Sequence, residues 1–127
     1  METLIESTRR FEKDLKQLDS RDKDRVIKAI NDCVAWVEAE GIRPSRKLLE
    51  LKLDSHVQGY ESSLYLLKAT PQNRVILSID DDPIFGQVIF TLFRIFPVDK
   101  LEQNLRGLVE SIYQALRQES EDVQLTI

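Results

Sequence analysis

The sequence predicts a single α+β domain, in which a helix pair precedes a three-strand antiparallel meander and a last helix follows it. Two observations carry this prediction. Apolar residues recur at helical spacing in the first third of the chain and again after Pro97. Between those segments lie three runs rich in β-branched, leucine and aromatic residues, separated by short turn sequences. A chain of 127 residues fits one such domain with its own core.

The first third of the chain predicts an αα-hairpin. Residues 9–18 place Phe11, Leu15 and Leu18 on one helical face. Asp19 or Ser20 can cap a second helix, which Gly41 and Pro44 end. Its apolar face consists of Val26, Ile27, Ile30, Val34 and Val37. The preceding ETLIES is too short for periodicity to distinguish a strand from a helical extension.

The middle of the chain predicts three consecutive strands. They are SSLYLLKA, RVILSI and GQVIFTLFRIF, and the turns between them contain Pro71-Gln72-Asn73 and Asp81-Asp82-Pro83. Short turns favour an antiparallel meander. The leucine-rich residues 45–56 fit either a helical turn or an alternating strand.

Side-chain alternation assigns the last strand's residues to faces. It predicts that Arg94 shares a face with Val88, Phe90, Leu92 and Phe96, and that Phe93 points to the other face. Aromatic residues on both faces of the sheet indicate either helices over different parts of it or an exposed partner-binding patch. The predicted interface residues are Phe90, Phe93 and Phe96.

The end of the chain predicts a helix capped by Asp99. Its apolar positions are Leu101, Leu105, Leu108, Ile112 and Leu116. We therefore expect the domain to span residues 1–118 and residues 119–127 to be a frayed tail.

Composition narrows the classes of function. The net charge is −4, whereas most domains that bind nucleic acid unaided are basic. Cys33 is the only cysteine, which rules out an internal disulfide, and a single histidine argues against a Cys/His metal site. Neither a metal nor a cofactor is expected. The N-terminus lacks the features of a signal peptide and no apolar run reaches membrane-spanning length, so we expect a cytoplasmic protein.

Three segments resemble the RelE/ParE toxin superfamily. IESTRRFEKDLKQL is similar to the family's opening, where a short strand precedes an F-x-K-D-L-K-x-L helix. LYLLKATPQNRVILSIDDD resembles the run in which a strand with basic residues turns into a strand ending in acidic ones, and IFTLFRI resembles the strand with a late basic residue. The resemblance covers roughly residues 3–115 and implies that ETLIES is a first strand.

The resemblance also implies a function and a site. RelE-type members are ribosome-dependent mRNA endonucleases, ParE-type members inhibit DNA gyrase, and an antitoxin neutralises both. Lys68, Arg74 and Arg94 stand at the family's basic positions and are the predicted catalytic residues, which would bind and stabilise phosphate. No tyrosine or histidine follows Arg94 where the family places its general acid, and Leu64, Leu66 and Leu67 stand where further basic residues are usual.

Each of these cations also has a structural interpretation. Lys68 and Arg74 can keep a hairpin edge soluble, and Arg94 can form an ion pair or pack its stem on Phe96. Two hypotheses therefore remain. One is a RelE-like mRNA endonuclease that contacts the ribosome and is masked by an antitoxin. The other is a catalytically degenerate protein-binding module that works as an adaptor, a homodimer or a gyrase inhibitor.

Overall fold

The computed structural model describes residues 2–43, 45–51, 64–100 and 107. The strands in these ranges are β1 (Glu2–Ser7), β2 (Leu48–Glu50), β3 (Leu64–Lys68), β4 (Asn73–Asp82) and β5 (Gln87–Pro97). The helices are α1 (Arg9–Gln17) and α2 (Ser20–Glu40). The predicted N-terminal strand, αα-hairpin and meander are thereby confirmed. Residues 45–56, which fitted either a helical turn or a strand, contribute the short strand β2.

The strands form one mixed sheet in the order β1-β5-β4-β3-β2. The strands from β2 to β5 pair antiparallel with their neighbours, and β1 pairs parallel with β5. β1 and β5 can pair in parallel because the αα-hairpin carries the chain from the end of β1 across to β2 at the opposite edge of the sheet. The two sheet edges are therefore β1 and β2.

Local sequence explains where the helices begin and end. The Thr8 hydroxyl accepts a hydrogen bond from the Phe11 N–H at 3.1 Å and so caps α1. The Asp19 carboxylate accepts one from the Asp22 N–H at 2.8 Å and caps α2, as predicted. At the other end of α2, Gly41 has a φ of 84°, a conformation that suits glycine.

The core lies between the two helices and one face of the sheet. Phe11 and the buried face of α2 pack there against alternate residues of the strands. The fully buried members are Val26, Leu48, Val75, Leu77 and Phe90. Leu64, Leu66 and Ile76 occupy the alternate positions and are also buried, so the opposite face of the sheet is apolar around them.

A β-bulge in β5 corrects the predicted assignment of faces. Ile76 pairs with Arg94 and Leu77 pairs with Leu92, which leaves Phe93 as an extra residue. Beyond the bulge, Ile95 joins Leu92 in the helix-side core. The prediction that Arg94 and Phe96 share a face with Phe90 was therefore wrong, because strict alternation fails at an inserted residue.

The predicted C-terminal helix falls mostly outside the described residues. Residues 98–100 and Gly107 are helical, and the proposed domain end and tail lie beyond the described ranges. Within those ranges, no helix has the length and apolarity needed to cross a membrane.

Candidate functional site

The three predicted cations occupy strand positions that alternate with residues of the helix-side core. Lys68 pairs with Arg74, which pairs in turn with Phe96. In the adjacent row, Ile76 pairs with Arg94. Cross-strand and diagonal neighbours on one face are about 5–8 Å apart at their Cβ atoms, so Arg74 is a neighbour of both Lys68 and Arg94. Lys68 and Arg94 themselves are two strands apart.

The Arg94 guanidinium is already paired. Its Nε donates to Asp14 Oδ2 at 2.8 Å, and a terminal nitrogen donates to Asp14 Oδ1 at 3.4 Å. Asp14 Oδ2 also accepts from the backbone N–H of Ile95 at 3.0 Å. The guanidinium carbon stands 4.4 Å from the centroid of the Phe96 ring. Arg94 thus ties α1 to β5 beside the bulge, and Asp14 balances its charge.

Arg74 is held by the turn between β3 and β4. Its terminal nitrogen donates to the carbonyl oxygens of Thr70 at 2.7 Å and Asn73 at 3.2 Å. The Thr70 hydroxyl accepts from the Asn73 N–H at 3.0 Å and closes the same turn. These bonds fix the direction of the Arg74 side chain and occupy one of the three nitrogens of its guanidinium group.

Lys68 differs from the two arginines. Its side chain is exposed, and within the described ranges it makes no side-chain hydrogen bond or ion pair. An ammonium group in that setting is free to meet an anion.

The described part of this face lacks the tyrosine or histidine that the sequence resemblance implies as a general acid. The phenol in the described strands, Tyr65, lies on the other face and packs against the helix-side core. His56 and Tyr60 lie outside the described residues. The described residues also contain no cluster of three His, Cys, Asp or Glu side chains able to hold a metal ion.

The predicted aromatic interface is divided by the bulge. Phe90 is fully buried in the helix-side core, and Phe93 is 8% exposed at the bulge. Phe96 is half-buried and stacks on Arg94. Of the three, Phe96 therefore offers the most surface to a partner.

Sequence reasoning missed a groove between α2 and the β2–β3 edge of the sheet. It encloses about 820 Å³ and is lined by the basic residues Arg25, Lys28, Lys47 and Lys68 and by the acidic Asp32. Asp32 is paired with Lys28 at 3.5 Å. No linear motif marks this groove, because its cations come from separate elements that only the fold brings together.

Apolar groups form the rest of the groove wall, including Trp36, Leu48 and Leu67. Cys33 also lines it, and burial raises the pKa of its thiol from 9.0 to about 11. The thiol is therefore protonated near neutral pH and is a poor nucleophile.

No protein-family model and no curated protein matches the sequence. The backbone is similar to several solved toxins. With the YoeB dimer from Staphylococcus aureus the identity is 15% and the TM-score 0.51, over 74% of this chain and 94% of that one. A chain of the E. coli DinJ–YafQ toxin–antitoxin complex matches at 16% identity and a TM-score of 0.51, over 80% and 98%.

A chain of the archaeal RelE–RelB complex from Pyrococcus horikoshii OT3 matches at 16% identity and a TM-score of 0.51, over 76% of this chain and 96% of that one. The likeness extends over nearly the whole length of each matched chain. The protein thus has the RelE/ParE toxin fold, as its sequence motifs predict.

Proposed function

We propose that this protein is the toxin-fold member of a toxin–antitoxin-like pair, and that it acts by binding proteins rather than by cleaving RNA. The observation that carries this proposal is that the guanidinium groups of Arg74 and Arg94 already donate hydrogen bonds within the protein. Arg94 donates to Asp14, and Arg74 donates to the carbonyls of its own turn. A phosphate that replaced these partners would leave part-buried oxygen acceptors unsatisfied, which costs up to about 1–3 kcal/mol each.

Charge and chemistry support the same proposal. Asp14 cancels the charge of Arg94, so the net positive charge available to a phosphate on this face is small. RNA cleavage also needs a group that protonates the departing 5′ oxygen, and the described part of the face holds neither an imidazole nor a phenol. Two structures with this fold are complexes of a toxin with DinJ or RelB, which makes an antitoxin-like protein our expected partner.

A RelE-like mRNA endonuclease is the second candidate. The specific observation in its favour is that Lys68, Arg74 and Arg94 do share one sheet face in adjacent rows. In that mechanism Lys68 meets the scissile phosphate, while the arginines stabilise the charge that develops as the 2′ oxygen attacks phosphorus. Both candidates place the protein in the cytoplasm, where a partner, the ribosome and mRNA are available.

One experiment separates the candidates. The wild-type chain is induced in cells, growth is followed, and new mRNA 5′ ends are mapped. In parallel, the chain is co-expressed with the product of the gene adjacent to its own, and the complex is isolated and weighed. We expect no new 5′ ends and a complex of fixed stoichiometry.

Two variants make the result interpretable. Lys68→Ala removes the unpaired cation of the candidate face, and Lys16→Ala removes an exposed lysine on α1 as the matched control. Cleavage by the wild type and the control that disappears in Lys68→Ala would establish the endonuclease and overturn our proposal. Failure to form a complex would overturn it as well.

A further inference from the structure

The turn between β4 and β5 presents two large apolar side chains to solvent. Ile84 is 85% exposed and Phe85 is 74% exposed, which makes them the most exposed large hydrophobic residues in the described ranges. Asp80, Asp81 and Asp82 precede them, with Pro83 in between. We call residues 80–86 the acidic tip. Adjacent exposed apolar groups bordered by charge are typical of a surface that binds another protein.

The acidic tip is ordered by its own hydrogen bonds. Asp82 Oδ1 accepts from the N–H groups of Ile84 at 3.1 Å and Phe85 at 3.3 Å. Gly86 turns the chain with a φ of 63°, and its carbonyl accepts from the Glu2 N–H at 2.9 Å. Because the tip is already held in one conformation, docking it into a partner sacrifices little conformational entropy.

The groove between α2 and the sheet edge is complementary to this tip. Four basic side chains and one acidic side chain line it, in a protein whose net charge is −4. Its walls also contain apolar surface from Trp36, Leu48 and Leu67. A volume of about 820 Å³ lies within the range of about 300–1,000 Å³ typical of ligand pockets. The groove therefore suits an anionic segment that carries bulky apolar side chains.

We propose that the acidic tip of one copy of this protein docks into the basic groove of a second copy. The tip offers Ile84 and Phe85 to the apolar wall and its aspartates to Arg25 and Lys47, since Lys28 is already paired with Asp32. Charge complementarity of this kind directs one surface to the other and fixes their orientation. The groove includes Lys68 and adjoins Arg74 through Thr70 and Pro71, but this inference does not rest on the proposed function, since it depends on Arg25 and Lys47 and not on the predicted catalytic cations.

The fold requires this contact to be intermolecular. Strand β4 has ten residues and runs from Asn73, beside the groove, to Asp82 in the tip. A strand of that length spans roughly 30 Å. A tip cannot reach the groove of its own chain over that distance. Because each copy has one tip and one groove, two copies can exchange tips in a two-fold dimer, or the contact can repeat head to tail along a chain or ring.

Complementation between two variants tests the proposal. The tip variant carries Ile84→Ser with Phe85→Ser, and the groove variant carries Arg25→Glu with Lys47→Glu. By analytical ultracentrifugation, we expect the wild-type mass to rise above the 14.8 kDa of one chain as concentration increases, and to rise less at high salt. Each variant alone remains at 14.8 kDa. Their equimolar mixture forms a dimer and nothing larger, because only one tip and one groove are intact.

A matched control carries Arg9→Glu with Lys13→Glu, the same charge change at exposed positions of α1 outside the groove. It should associate as the wild type does. Circular dichroism and thermal unfolding confirm that all variants fold. A wild type that stays at 14.8 kDa at its highest soluble concentration, or variants that fail to complement each other, would sink the proposal.

Discussion

Whether a lysine or arginine can bind phosphate depends on whether its N–H donors are already bonded to acceptors within the protein. Arg74 and Lys68 are cross-strand neighbours, yet one is bonded to turn carbonyls and the other makes no side-chain bond within the described ranges. Arg94 shows a third case, in which a carboxylate 80 residues away in the sequence takes two of its donors. Residue type alone therefore does not identify a phosphate-binding site here.

The pair of Asp14 and Arg94 gives a prediction at this scale. Asp14→Ala leaves both the Arg94 guanidinium and the Ile95 N–H without their acceptor, so we expect a loss of about 2–3 kcal/mol in the free energy of unfolding. Arg94→Ala should cost less, about 1–2 kcal/mol, because Asp14 keeps its bond to Ile95.

Urea denaturation measures both variants. Asp32→Ala is the control, since the side chains of Asp32 and its partner Lys28 are mostly exposed and an exposed i,i+4 pair contributes less than about 0.5 kcal/mol. If Asp14→Ala and Asp32→Ala lower the free energy of unfolding equally, the part-buried pair is no more stabilising than an exposed one.

At the scale of elements, the bulge in β5 and the start of α1 form one unit. Thr8 accepts from the Phe11 N–H to cap the helix, and its hydroxyl donates at 2.9 Å to the carbonyl of Phe93, the inserted residue. The Thr8 N–H donates to the Leu92 carbonyl at 3.0 Å. A helix cap thus satisfies the strand backbone where β1 stops pairing with β5.

Two helix caps in the same chain allow this double role to be measured. Asp19→Ala removes only a cap and should cost about 1 kcal/mol. Thr8→Ala removes a cap and also leaves the Phe93 carbonyl unpaired, so we expect about 2 kcal/mol.

Thr8→Ser keeps the hydroxyl and should restore most of the loss. Chemical denaturation of the three variants provides the comparison. If Thr8→Ala costs no more than Asp19→Ala, the bond to Phe93 does not stabilise the fold.

At the scale of the whole molecule, sequence patterns predicted the features that depend on interactions between residues close in the sequence. Neighbours in the sequence determine the apolar spacing of α2, the cap at Asp19 and the turns of the meander. These local signals therefore predicted the helices and the meander strands correctly. The bulge at Phe93 depends on how β4 and β5 pair, so alternation within one strand could not reveal it. The basic groove and the Asp14–Arg94 pair likewise join distant segments, and their residues have no linear signature.

Ionisation of the Cys33 thiol should make the free energy of unfolding depend on pH. Its thiol is buried between α2 and the groove, and its pKa rises from 9.0 to about 11 on folding. Below pH 9 the thiol is protonated in both the folded and the unfolded state. Between pH 9 and 11 the unfolded state loses this proton first, so stability falls as pH rises through that window.

The size of the effect follows from the shift. The rise in pKa from 9.0 to about 11 corresponds to at most about 3 kcal/mol when the loss is complete. Tyrosines and lysines titrate in the same range, so the measurement is a difference between the wild type and Cys33→Ala. We expect the free energy of unfolding of the wild type, relative to that variant, to be constant from pH 7 to about 8.5 and to decline steadily above it. Parallel curves up to pH 11 would mean that the thiol ionises as readily in the folded protein as in the unfolded chain, and that the groove beside Cys33 admits water freely.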